Sequence, residues 1–166
     1  MGGVHPEERR TLGRVEKYLV SLYEYRLIRT ALVYLVLTGL LGVLFFLFPS
    51  LTPYFRVTHI HLGVIGFFLS MVMGVAYWMM PRPGGLKQER LEAITFYLLN
   101  AGLLLRALVE PWWRYTGDGL PRGLSGLSGL LLFAAILTFV YAMQARVKTK
   151  EMILRLRQAR EADKGP

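Results

Sequence analysis

Arg56-Val57-Thr58-His59-Ile60-His61-Leu62-Gly63-Val64-Ile65-Gly66-Phe67-Phe68-Leu69-Ser70-Met71-Val72-Met73-Gly74-Val75-Ala76-Tyr77-Trp78-Met79-Met80-Pro81 is the stretch whose reading decides the fold. From Leu62 to Met80 it has no charged side chain. That is close to the roughly 20 apolar residues a helix needs to cross a bilayer. Two histidines stand where this run begins, and the only other histidine is His5. Ionisable groups in a membrane segment are expensive and point to a function. Imidazole is a common protein ligand for heme iron. The stretch therefore predicts a membrane helix with a heme site near one end.

Three further apolar runs flank it. Together the spans read Leu27–Phe48, Val57–Met80, Ile94–Trp112 and Leu124–Met143. Backbone polar groups in lipid must pair internally, so runs of this length are helices. Pro49-Ser50-Leu51-Thr52-Pro53 ends the first, Pro81-Arg82-Pro83-Gly84-Gly85 ends the second and Pro111 closes the third. The expected fold is all-α: an integral membrane four-helix bundle. Residues 1–26 form a cytoplasmic or interfacial segment, 27–143 the transmembrane heme-binding domain and 144–166 a basic cytoplasmic tail. In the first segment Leu12, Val15, Leu19 and Leu22 recur at helical spacing among charges, predicting an amphipathic helix lying on the membrane. The tail continues the fourth helix over Gln144–Ala162 and serves chiefly as a solvated, topology-fixing extension.

Composition agrees. The 166 residues are 54% hydrophobic, with mean hydropathy +0.39. The formal charge of +9 lies on the polar flanks, which suits an anionic membrane face and argues against a nucleic-acid binder. No cysteine is present, so disulfides, thiolate zinc sites and covalent heme attachment are excluded. The first ten residues lack the apolar core of a secretory signal, so the first span is expected to direct insertion. Arg9, Arg10, Arg14, Lys17 and Arg26 precede the first span, and Arg82, Lys87 and Arg90 separate the second from the third. The tail adds Arg146, Lys148, Lys150, Arg155, Arg157, Arg160 and Lys164, whereas the other two loops hold only Arg56, Arg114 and Arg122. This asymmetry predicts a multi-pass protein of the cell inner membrane with both termini cytoplasmic.

His59 and His61 stand about 200° apart around a helix and cannot share one metal from a regular helix. Gly63, Gly66, Ser70 and Gly74 follow His59 as a strip of small residues, open to a porphyrin or to a packed helix. Methionines 71, 73, 79 and 80 are further axial candidates, though mainly apolar filler. Arg106, inside Leu103-Leu104-Leu105-Arg106-Ala107-Leu108-Val109, falls at about the depth of the histidines. It suits either a heme propionate or an i,i+4 pair with Glu110. Arg56, Trp112, Trp113 and Arg114 lie at the same level and are candidates to line the site.

Taken together, Arg56-x-x-His59-x-His61, Gly66-Phe67 and Gly74-Val75-Ala76-Tyr77-Trp78-Met79-Met80-Pro81 resemble the second transmembrane helix of heme-copper oxidase subunit I. Leu91-Glu92-Ala93-Ile94-Thr95-Phe96-Tyr97-Leu98-Leu99-Asn100-Ala101-Gly102 resembles that family's third helix, and the similarity covers about residues 30–143. The resemblance implies non-covalent heme b on a histidine near the outer end of the second helix. The Arg-x-x-His spacing and the distance to Gly74 favour His59; the His-x-His-x4-Gly spacing of short relatives keeps His61 as the alternative. The family's remaining heme and copper ligands lie on helices this chain lacks, so it is not a complete oxidase by itself. The expected function is electron transfer, or binding of nitric oxide or oxygen, with a homo-oligomer or a respiratory-complex partner in membrane lipid. The alternative is a heme-free accessory or assembly subunit of such a complex.

Overall fold

The computed structural model describes residues 21–81 and 88–163. Among them every regular element is helical. Four helices are long and apolar enough to cross a membrane, as in a multi-pass membrane protein: α1 (Leu22–Leu47), α2 (Pro49–Met79), α3 (Glu89–Thr116) and α4 (Gly119–Asp163). Of the amphipathic helix expected over residues 12–27, residues 12–20 lie outside the described residues, as do the loop cations Arg82 and Lys87.

Local chemistry sets the ends. Ser21 and Glu24 form a capping box: each side chain receives the other residue's backbone N–H, which satisfies two donors at the start of α1. Residues 22–26 are thus the first turns of the first spanning helix. Pro49 has no N–H to continue that helix but suits the first turn of the next. A 3-10 turn, Pro49–Leu51, leads straight into Thr52–His61, so α2 begins several residues before the expected Val57. Beyond His61 the helix loosens to a π-helix over Leu62–Leu69 and tightens again over Ser70–Met79.

Pro111 does not close the third helix. The helix runs through it to Thr116 and stops at Gly117, whose left-handed φ of 72° favours glycine. Pro111 forfeits one backbone hydrogen bond, while the pair from Arg114 to Glu110 at 3.3 Å bridges the turn around it. α4 is one unbroken helix of 45 residues, about 68 Å long, so the expected tail helix is its direct continuation.

The packing is inverted relative to a water-soluble bundle. Val36, Phe46, Leu108, Leu130 and Tyr141 point outward, whereas Glu24, Glu92, Thr95, Ser128 and Arg146 are wholly buried. So much exposed apolar surface is untenable for a soluble monomer and natural with lipid as solvent. The helices meet through small residues. A Cβ on Gly66 would stand 2.8 Å from the Tyr34 ring of α1, and one on Gly102 would stand 2.9 Å from Leu132 of α4. α1 packs on α2, the first half of α2 on α3, and α4 chiefly on α3.

Candidate functional site

The two histidines lie on the regular α-helical part of α2, before the π-helix starts. They therefore face different ways. The His59 ring turns toward α1, 5.4 Å from the ring of Phe45, and Gly42 leaves room beside it, its would-be Cβ 3.7 Å from His59 Cε1. His59 Nδ1 is buried and has no hydrogen-bond partner. His61 Nδ1 lies 2.8 Å from the Val57 carbonyl one turn earlier. A carbonyl can only accept, so this nitrogen carries a proton, and in the neutral ring Nε2 is the nitrogen with the free lone pair. Metal-ligating histidines are commonly held in this way, one ring nitrogen fixed by a carbonyl and the other free to bind. Thr58, between the two faces, is buried with an unpartnered hydroxyl.

The small-residue strip is filled from within. Gly63 lies against Thr38, Gly66 against Tyr34 and Leu103, and Gly74 against Ile28 and Leu27. Its role in this chain is to seat α1 on α2. Arg106 is likewise engaged. Its Nε is 3.5 Å from Glu110 Oε2, and its Nη1 donates to the Ser125 carbonyl and the Ser128 hydroxyl of α4, both at 3.4 Å. The i,i+4 alternative read from the sequence describes its contacts. Glu110 is flanked one turn later by Arg114, giving a ladder of two guanidiniums on one carboxylate. Arg56 and Trp112 are exposed at this same end.

The opposite end holds a polar centre that sequence reasoning missed. Arg146 of α4 is completely buried. It donates to Glu92 at 2.6 Å, to Gln88 Oε1 at 3.2 Å, and to the carbonyls of Tyr77 and Met80 at the end of α2. Glu24 of α1 lies 4.0 Å away, and the guanidinium sits 4.9 Å from the centre of the Tyr77 ring. Ser21 donates to the second oxygen of Glu92, and Tyr77 and Thr95 share a hydrogen bond at 3.0 Å. One cation thus clasps all four helices. It complements the negative C-terminal end of the α2 dipole, while Glu89 and Glu92 complement the positive start of α3. A signal for it was present: Leu132, Ala135, Phe139, Ala142 and Arg146 share one helical face, placing the arginine on the buried stripe.

Among the described residues no three His, Asp or Glu side chains gather as a metal-holding group. What the His59 end can offer an iron is a single imidazole from either face of α2. No family model, curated protein or solved structure matches the chain.

Proposed function

We propose that this chain is a multi-pass protein of the cell inner membrane that holds a non-covalent b-type heme on α2, with His61 as the axial ligand. The observation that carries the reading is the His61 Nδ1 contact to the Val57 carbonyl at 2.8 Å. It orients the ring and leaves Nε2 as the coordinating nitrogen. The unpartnered Nδ1 of His59 keeps that histidine as the alternative ligand. When bound, the heme supplies an iron that can change oxidation state or take nitric oxide or oxygen at an open position. The chain supplies the imidazole, an apolar shell and fixed helix packing. A role in electron transfer fits a second ligand from another copy or subunit; a role in gas binding fits its absence. The cations of the Arg146 end, including Arg26, Arg29, Lys148, Lys150 and Arg155, support cytoplasmic termini, a topology in which the histidines lie near the outer face.

A second reading has its own support. The glycine strip is taken up by α1, and Arg106 by Glu110 and α4. Both features suit a heme-free accessory or assembly subunit as well as a heme protein.

The deciding experiment is a reduced-minus-oxidised spectrum of the detergent-purified protein, with and without carbon monoxide. The heme reading expects b-type bands that His61→Ala abolishes and His59→Ala largely keeps. The reverse pattern moves the ligand to His59. A colourless protein that stays colourless after reconstitution with hemin leaves the accessory subunit.

A further inference from the structure

At the His59 end a cavity of ≈310 Å³ opens between the start of α2 and the end of α3, lined by Pro53, Tyr54, Trp113 and Arg114. Ligand pockets run from about 300 to 1,000 Å³, so this one suits a headgroup rather than a whole lipid. All four residues lie at the ends of membrane-crossing helices, where headgroups begin. Tyr54 is braced at 5.8 Å by the ring of Tyr115. The electrostatics select the sign of the ligand. Glu110 is almost wholly buried and answers both Arg106 and Arg114, so two guanidiniums meet one carboxylate. The exposed charges at this end, Arg56 and Arg122 against Asp118, leave the surplus positive. Arg114 gives Glu110 one contact, at 3.3 Å, and its side chain is 38% exposed. A guanidinium carries five N–H donors in a fork suited to phosphate.

We propose that this cavity binds the phosphate headgroup of an anionic membrane lipid. The phosphate takes the remaining donors of Arg114, and the glycerol and first methylenes lie against Trp113 and Tyr54. The assignment does not depend on heme. It goes beyond the general affinity of tryptophan and tyrosine for the membrane interface, which shows no preference among lipid charges.

Trp113 is a built-in reporter. In a Trp78→Phe/Trp112→Phe protein it is the sole tryptophan. That protein is reconstituted in phosphatidylcholine nanodiscs containing a minor share of brominated phosphatidylglycerol or, separately, brominated phosphatidylcholine. Both headgroups carry a phosphate, but the choline ammonium of phosphatidylcholine meets the surplus positive charge of this end. The expected result is therefore half-maximal quenching at roughly fivefold less of the anionic lipid, the scale of one cation at a membrane surface. Arg114→Gln should remove that preference and Arg114→Lys should keep part of it, with emission in the absence of brominated lipid reporting an intact fold. Equal quenching by the two lipids overturns the proposal, as does a preference that survives Arg114→Gln. Relief of quenching by free glycerol phosphate would make the site one for a soluble phosphate and overturn the lipid assignment.

Discussion

Replacing Arg146 with methionine tests the clasp. The substitution keeps most of the apolar stem and removes the charge together with every donor. It strips Glu92 Oε1 of its 2.6 Å partner and removes the 3.2 Å bond to Gln88. It also frees the carbonyls of Tyr77 and Met80 at the end of α2. Glu92 is wholly buried and keeps Ser21 as a donor. Breaking a buried ion pair from one side typically costs about 3–5 kcal/mol, because the remaining charge is left uncompensated. For a chain of this size each kcal/mol moves the melting midpoint by about 2–4 °C, so the expected fall is about 6–20 °C. The assay is thermal unfolding in detergent, followed by tryptophan emission at a fixed scan rate. Arg146→Met/Glu92→Gln removes the stranded charge and should recover at least half of that fall. A single-variant loss below about 1 kcal/mol would refute the reasoning, since it would mean the cation is not pairing buried carboxylate. So would a double variant no better than the single, because the cost would then not come from Glu92.

Other consequences follow from the contacts. Gly66→Ala forces a Cβ to within 2.8 Å of Tyr34 and 2.9 Å of Leu103; it should cost about 1–3 kcal/mol, whereas Gly39→Ala, with nothing within 4 Å, should be neutral or slightly stabilising in the same melts. Arg106→Leu removes the partner of Glu110 Oε2 and the bonds to Ser125 and Ser128; it should lower the melting midpoint while leaving any bound heme in place, and a loss of heme with unchanged stability would restore a propionate role. Tyr34→Phe removes the 2.7 Å bond to Asn100, which links α1 to α3; the expected cost is about 1 kcal/mol, and no change in the melt would mean Asn100 finds another donor.

Most of the architecture was legible because lipid permits few solutions. Apolar runs such as Leu62–Met80 had to be helices, and Pro49 had to separate two of them. Pro111 misled because proline is read as a stop. In α3 the neighbouring turns are held by the Arg106–Glu110–Arg114 ladder, so the helix survives the lost bond. The π-helix left no mark in the residue pattern, since Leu62–Leu69 is uniformly apolar and suits any helical pitch. Arg146 was misjudged for the opposite reason. Counted with the tail's other cations it looked like a topology marker, although its position on the stripe of Leu132, Ala135 and Ala142 put it inside.

What remains after the packing is accounted for is small and local. In lipid a polar side chain without a protein partner is costly, and this chain satisfies many of its own. Thr30, Thr38, Thr138 and Thr149 bond back to their own helices, Tyr34 bonds to Asn100, and Arg146 bonds across the bundle. The buried side-chain atoms without a hydrogen bond among the described residues are Thr58 Oγ1, His59 Nδ1, Arg106 Nε and Glu110 Oε2. The last two face each other at 3.5 Å as an ion pair, which leaves Thr58 and His59. Both lie in the turn that ends at His61, whose Nδ1 is already committed to Val57 and whose Nε2 is the nitrogen left for the proposed heme. The unmet polar demand of the described bundle thus concentrates in one turn of α2, next to the only π-helical segment among the described residues. Such irregularities occur frequently at functional sites. This coincidence favours the Thr58–His61 turn over either arginine centre as the place for the proposed ligand. It also sets a requirement on that ligand: it must satisfy polar groups on two faces of one helix, by coordination on one and by a hydrogen bond or an ordered water on the other.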